Sequence, residues 1–112
     1  MDDIFVKIIN RELPADIIYE DEKCIAFYDK FPAKEGHFLV VPKIKKTDIT
    51  EMDDEESAYL FNVARKLGKQ FCKDKDKGFR LIINTGKKAG QTIFHTHIHI
   101  IPFTKEGEKL TF

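Results

Sequence analysis

Three of the four histidines in the chain stand at alternate positions of the run His95-Thr96-His97-Ile98-His99-Ile100-Ile101-Pro102. Branched residues fill the gaps and Pro102 closes the run, which predicts a β-strand over 95–102. Successive strand side chains point to opposite faces. His95, His97 and His99 therefore share one face, while Thr96, Ile98 and Ile100 share the other. Such a strand can bury its apolar side and present a row of imidazoles on the opposite one.

Two chemistries use such a row. Histidines at i and i+2 on a strand can share one zinc ion. Three in succession converge poorly, because same-face Cα atoms repeat every ~6.5–7 Å. A tetrahedral site would also need His37, Cys24, Cys72 or a carboxylate. The second chemistry gives each ring its own role. A neutral imidazole is a good nucleophile toward phosphorus when its other nitrogen keeps a proton held by an acceptor. Neighbouring imidazoles disfavour simultaneous protonation, so one stays neutral while another donates to a phosphate oxygen or leaving group. Spacing favours this reading and leaves the metal reading open.

The loop Thr85-Gly86-Lys87-Lys88-Ala89-Gly90-Gln91-Thr92 leads into the histidine run. Gly86 and Gly90 allow close backbone approach to an anion, and Gln91 and Thr92 offer side-chain donors. It is not a P-loop, since no Gly-Lys-Ser/Thr triplet opens a helix after it.

A small sheet must position these groups. Ile4, Phe5, Ile8 and Ile9 have helical spacing and predict a short helix ending near Asn10, its stripe either plain packing or a pocket wall. Ile17–Glu20 and Cys24–Tyr28 read as a hairpin joined by Asp21-Glu22-Lys23. Asp29, at the strand end, either starts a turn or accepts hydroxyl hydrogen bonds from a ribose. His37–Val41 reads as a third strand stopped by Pro42, and the isolated His37 as a hydrogen-bonded core residue rather than a ligand. Lys43, Lys45 and Lys46 read as solvated, with anion contact as the alternative. Asp53 opens an acidic helix start with a D-x-x-E capping pattern. Leu60, Phe61, Ala64, Leu67, Gly68 and Phe71 then form an amphipathic stripe. The segment Lys73-Asp74-Lys75-Asp76-Lys77 reads as a solvated helix end stopped by Gly78. Phe79–Asn84 is a fourth strand, and the tail from Phe103 carries no assignable pattern. The expected fold is α+β, a five-stranded antiparallel meander sheet with two helices, in a single domain over residues 1–112.

Composition narrows the function. The 112 residues carry 19 basic and 19 acidic side chains, and 42% are hydrophobic. This balance suits a soluble globular protein and argues against nucleic acid as a partner, because phosphate-backbone binding usually needs a basic excess. The acidic start is followed by no long apolar run, which argues against a signal peptide and a membrane span. Two cysteines without C-x-x-C spacing suit a reducing compartment, cytoplasm or nucleus.

The triad run follows the pattern His-φ-His-φ-His-φ-φ, with Thr96 as the one polar φ. The chain thereby resembles the histidine-triad (HIT) family and its Hint branch of nucleoside phosphoramidases. Gly90–Phe94, His37–Lys43, Cys24–Asp29 and Ile4-Phe5 match further segments of that family, so the likeness spans most of the chain. The resemblance implies hydrolysis of purine nucleoside 5'-phosphoramidates or related acyl-nucleotides to nucleoside monophosphate and amine, without a metal or other cofactor. His97 would be the nucleophile and form a nucleotidyl-histidine, with the backbone of His95 orienting it. His99, Gln91 and Thr92 would contact the phosphate or leaving group, with Asn84 and Gly90 at the phosphate site. Asp29 would hold the ribose, and Ile4, Phe5, Ile8 and Phe27 would form the base pocket. A homodimer with one sheet continuous across the two-fold is also implied.

Rival expectations are a dinucleoside polyphosphate hydrolase of the same superfamily and a non-catalytic zinc- or nucleotide-binding scaffold. Two positions depart from the family pattern. Lys45 stands where a supporting histidine is usual, and a protonated lysine cannot accept a hydrogen bond from the triad. The tail lacks tryptophan, so leaving-group preference does not carry over.

Overall fold

The computed structural model describes residues 3–73 and 76–110. One antiparallel sheet contains β1 (Ile17–Glu20), β2 (Cys24–Tyr28), β3 (Phe38–Pro42), β4 (Gly78–Ile82) and β5 (Ile98–Phe103), in the order β1-β2-β3-β5-β4. Helices α1 (Ile4–Ile9) and α2 (Asp54–Cys72) complete the expected α+β architecture, with single 3₁₀ turns at Ile49–Glu51 and Lys87–Ala89. β1 to β3 form a meander. α2 then carries the chain across to β4, and β5 returns between β3 and β4. The histidine strand thus lies inside the sheet, hydrogen-bonded on both sides.

Strand parity divides the core. Cys24, Ala26, Phe38, Val40, Ile98 and Ile100 pack with Leu60, Val63, Ala64, Leu67 and Cys72 of α2. On the other face Ile25, Phe27, Leu39 and Val41 pack with Phe5 and Ile8 of α1. Since side chains alternate, the apolar side of β5 meets α2, and His97 and His99 fall on the α1 side. α2 starts with a capping box: the Glu56 N–H donates to the Asp53 carboxylate (2.8 Å) and the Asp53 N–H to that of Glu56 (2.9 Å). Asp21 ties the hairpin to α2, accepting from the Lys23 and Cys24 N–H groups and the Tyr19 and Tyr59 hydroxyls.

Several boundaries differ from expectation. β5 begins at Ile98, so His95-Thr96-His97 is not ladder-paired. β3 reaches Pro42, which lacks an N–H and cannot extend the β3–β5 ladder beyond Val40↔Ile98. Bonds to the Lys46 carbonyl hold the segment instead: Thr96 donates both its N–H (2.8 Å) and its hydroxyl (3.0 Å) to it. That role accounts for a polar residue, 1% exposed, between His95 and His97. α2 ends at Cys72 and Gly78 is the first residue of β4, so Gly78 does not cap the helix. Asp74 and Lys75 of the expected helix end lie outside the described residues. Phe61 and Phe71 remain partly exposed rather than buried on the sheet.

Gly68 sets the approach of α2 to β4. A Cβ there would lie 2.5 Å from the Phe79 ring. An Ala in a helix interior normally gains about 1 kcal/mol over Gly. Here the overpacking cost of about 1–3 kcal/mol outweighs that gain, and Gly68→Ala is expected to lose about 1–2 kcal/mol net in urea unfolding. A stabilised variant would contradict the packing argument.

Candidate active site

His97 and His99 project from the α1 side of β5 and its approach segment into a cavity of about 1060 Å³. Ile4, Phe5 and Ile8 of α1 and Phe27 of β2 form an apolar wall; Asp29, Asn84, Gly90 and Thr92 add polar groups. Most residues expected at the site therefore line one space. That volume is at the upper end of small-ligand pockets, whose usual design is apolar walls with a few placed polar groups. His97 lies against Phe5 and His99, with ring centroids 5.0 and 4.9 Å away.

Hydrogen bonds assign the ring protons. His97 Nδ1 lies 2.7 Å from the His95 carbonyl, which can only accept. The proton therefore sits on Nδ1, and Nε2 keeps its lone pair. The Ala33 N–H donates to His37 Nδ1 (2.9 Å), placing the His37 proton on Nε2. That nitrogen is 3.0 Å from His99 Nδ1 and donates to it, so His99 carries its own proton on Nε2. One backbone N–H thus sets the tautomer of two buried imidazoles in series.

His37 is a buried, hydrogen-bonded core residue, as its place beside Gly36 in an apolar strand predicts. The partner is a triad histidine, because the register pairs Phe38 with Ile100 and leaves His37 diagonal to His99 on one face. Alternation within each strand does not relate the faces of two strands; only the register does, and it is not readable from the sequence. Asp29 starts the turn expected at the end of β2. Its Oδ1 accepts from the Phe31 N–H (2.9 Å), while Oδ2 lies 3.5 Å from His37 Nε2 at the cavity.

Two expected residues stand elsewhere. The Gln91 side chain is not at the cavity: its oxygen accepts from the Gly86 N–H (2.8 Å) and its amide donates to the Thr47 and Ile93 carbonyls. It closes the loop, so a side-chain contact to phosphate is replaced by a loop-shaping role. Gly90, at φ 95°, holds that loop in a conformation only glycine adopts easily. The His95 ring faces away from the cavity, with Nε2 2.8 Å from the Pro42 carbonyl and Nδ1 3.1 Å from Asp3. Lys45 lies 3.0 Å from the same Asp3 oxygen, and Lys43 and Lys46 pair with Glu20 and Glu56. All three lysines are thus bound to carboxylates. Nothing local in the sequence marks the partners of Asp3, 42 and 92 positions away.

The electrostatics favour neutral rings. Burial lowers the pKa of His97, assisted by nearby His95 and opposed by the His95 carbonyl and the carboxylates Asp29 and Asp3. Burial, then His97 and His37, push His99 down to about 3. Burial also lowers His37, against the pull of Asp29. Ligand atoms of Asp29, His37 and His99 lie within 4.8 Å of one another, close enough to consider a cation. A metal on His37 Nε2 would have to displace the proton placed there by the Ala33 N–H and leave an imidazolate. The cluster suits a hydrogen-bond relay better.

The chain matches the HIT domain family over residues 10–106. It is 48% identical over 106 residues to an uncharacterized 13.1 kDa HIT-like protein of Mesomycoplasma hyorhinis, covering 94% of this chain and 96% of that one. Among solved structures it resembles a HIT family hydrolase from Clostridium thermocellum (38% identity, TM-score 0.84, 95% of this chain and 94% of that one). A hypothetical histidine triad nucleotide-binding protein from Sulfolobus tokodaii is similar as well (45%, TM-score 0.82, 93% and 70%). Among the described residues no helix is long and apolar enough to cross a membrane.

A buried His whose folded pKa is lowered binds fewer protons than it does unfolded. Stability is therefore complete above the unfolded pKa near 6.5 and falls as pH drops from there toward the folded value, about 3 for His99. At pH 5 the His99 contribution is on the order of 2 kcal/mol. Melting curves at pH 7.5 and pH 5 should show a loss that shrinks in His99→Asn; an equal loss in both proteins would contradict the assignment.

Proposed function

The chain belongs to the HIT domain family, and from that premise we propose that it hydrolyses purine nucleoside 5'-phosphoramidates, or related acyl-nucleotides, through a nucleotidyl-His97 intermediate. The observation that carries this reading is the His97 ring at the cavity with its Nδ1 proton on the His95 carbonyl. Nε2 attacks the α-phosphorus, and the P–N bond breaks with its electron pair going to the amine, which leaves with a proton. His99 offers its Nε2–H to a phosphoryl oxygen or to the departing nitrogen. Water then attacks phosphorus, the bond to His97 breaks, and nucleoside monophosphate is released.

Substrate binding rests on shape and hydrogen bonds. The α1 wall and Phe27 take the purine, Asp29 the ribose hydroxyls, and the Gly90 backbone with Thr92 and Asn84 the phosphate. A homodimer also belongs to this reading; the partly exposed Phe61 on α2 and the open edges of β1 and β4 supply surface for it.

His97→Ala should lower turnover of an adenosine or guanosine phosphoramidate by at least about a thousandfold, while nucleoside monophosphate still binds. Acid-quenched mapping of the labelled protein should place the nucleotide on His97. Full activity of the variant, or label on another residue, would remove the mechanism. Wild-type protein should turn over the phosphoramidate faster than a diadenosine polyphosphate; the reverse order would move it to the neighbouring branch of the superfamily.

A further inference from the structure

His95 lies outside the cavity, yet its carbonyl holds the proton of the nucleophile. What fixes His95 is therefore what aims His97. The His95 ring is fully buried and bridges two elements: Nε2 reaches the Pro42 carbonyl at the end of β3 (2.8 Å), and Nδ1 reaches Asp3 Oδ2 (3.1 Å). Both partners, a carbonyl and a carboxylate, are acceptors, so the ring meets them through its N–H edges.

Asp3 is where three elements meet. Its Oδ1 accepts from the Val6 N–H (2.9 Å) as the N-cap of α1, and its Oδ2 receives both the His95 ring and the Lys45 ammonium (3.0 Å). Burial opposes ionisation, but the Val6 N–H, Lys45 and His95 outweigh it and hold the carboxyl below its usual range. The Phe5 ring of α1 packs edge-on against both His95 and His97, centroids 5.7 and 5.0 Å away.

We propose that Asp3, steadied by Lys45, is a positioning residue for the nucleophile. Its carboxylate pins the His95 ring against Pro42 and so fixes the carbonyl that keeps the His97 proton on Nδ1. The same carboxylate couples that alignment to the wall of the cavity, because it caps the helix carrying Ile4, Phe5 and Ile8. Lys45, 3.0 Å from the same Oδ2, holds the carboxylate in place beside the ring. This inference rests on the proposed role of His97, and it concerns an arrangement present before any nucleotide arrives.

Asp3→Asn separates the two duties of the side chain, since Asn caps helices as well as Asp but carries no charge. Turnover of a nucleoside phosphoramidate should fall about tenfold or more in kcat, with nucleoside monophosphate Kd within about threefold of wild type. Ring ¹⁵N spectra of the nucleotide-free variant should show His97 losing its single Nδ1–H tautomer. Lys45→Met, at a side chain 43% exposed, should shift both readouts the same way by a smaller factor, and Lys45→Arg should restore them. It carries the test if Asp3→Asn does not fold.

A kcat within twofold of wild type with unchanged His97 signals would overturn the proposal. So would a loss confined to Kd, which would leave Asp3 as a helix cap alone. If the wild-type protein hydrolyses no phosphoramidate, the functional reading fails first; the ring spectra and the monophosphate Kd then still decide this one.

Discussion

The site depends on one hydrogen bond within the chain, from His97 Nδ1 to the carbonyl of His95 two residues earlier. A free imidazole exchanges between two tautomers, and only one leaves Nε2 with a lone pair toward the cavity. An acceptor built into the same segment removes that choice without a buried carboxylate beside the ring. A carboxylate there would favour the imidazolium, which has no lone pair to give. A carbonyl fixes the proton and adds no net charge.

The relay from Ala33 through His37 to His99 solves the same problem in the opposite sense. It begins with a backbone donor instead of a backbone acceptor, and it delivers a proton to Nε2 of the neighbouring ring. Two imidazoles with centroids 4.9 Å apart thereby present complementary edges, one accepting and one donating. Burial keeps both neutral near pH 7, so an anionic ligand meets hydrogen-bond polarity rather than a cluster of cations. Lys43, Lys45 and Lys46, for which anion contact was only the alternative to solvation, are engaged with Glu20, Asp3 and Glu56.

The sheet makes these alignments durable. β5 is paired on both sides and Ile98 and Ile100 are locked under α2, so His99 is borne on a rigid strand. His95 and His97 lie just before it, where Pro42 ends the ladder. The free backbone there is what lets the His95 carbonyl turn to a side chain two residues on. A regular strand through 95–97 would have engaged such carbonyls in pairing with a neighbour. The expected longer strand failed because a residue without an N–H lies opposite it, a feature visible only once β3 and β5 are known to be neighbours.

Local periodicity determined a good deal from the sequence alone. Alternation in 95–101 assigned the imidazole and apolar faces, the three- and four-residue spacing of Leu60 to Leu67 assigned α2, and Asp53 with Glu56 marked its start. These are short-range facts, settled by side-chain direction along one element. The partners of the histidines were settled elsewhere. His37 meets His99 through strand register, Asp3 meets His95 and Lys45 through the docking of α1, and Gln91 turns inward because Thr47 offers it a carbonyl. Each is a contact between residues at least 42 positions apart. Ring tautomers follow from such contacts, because a proton sits wherever the nearest acceptor lies, and packing alone brings that acceptor within reach.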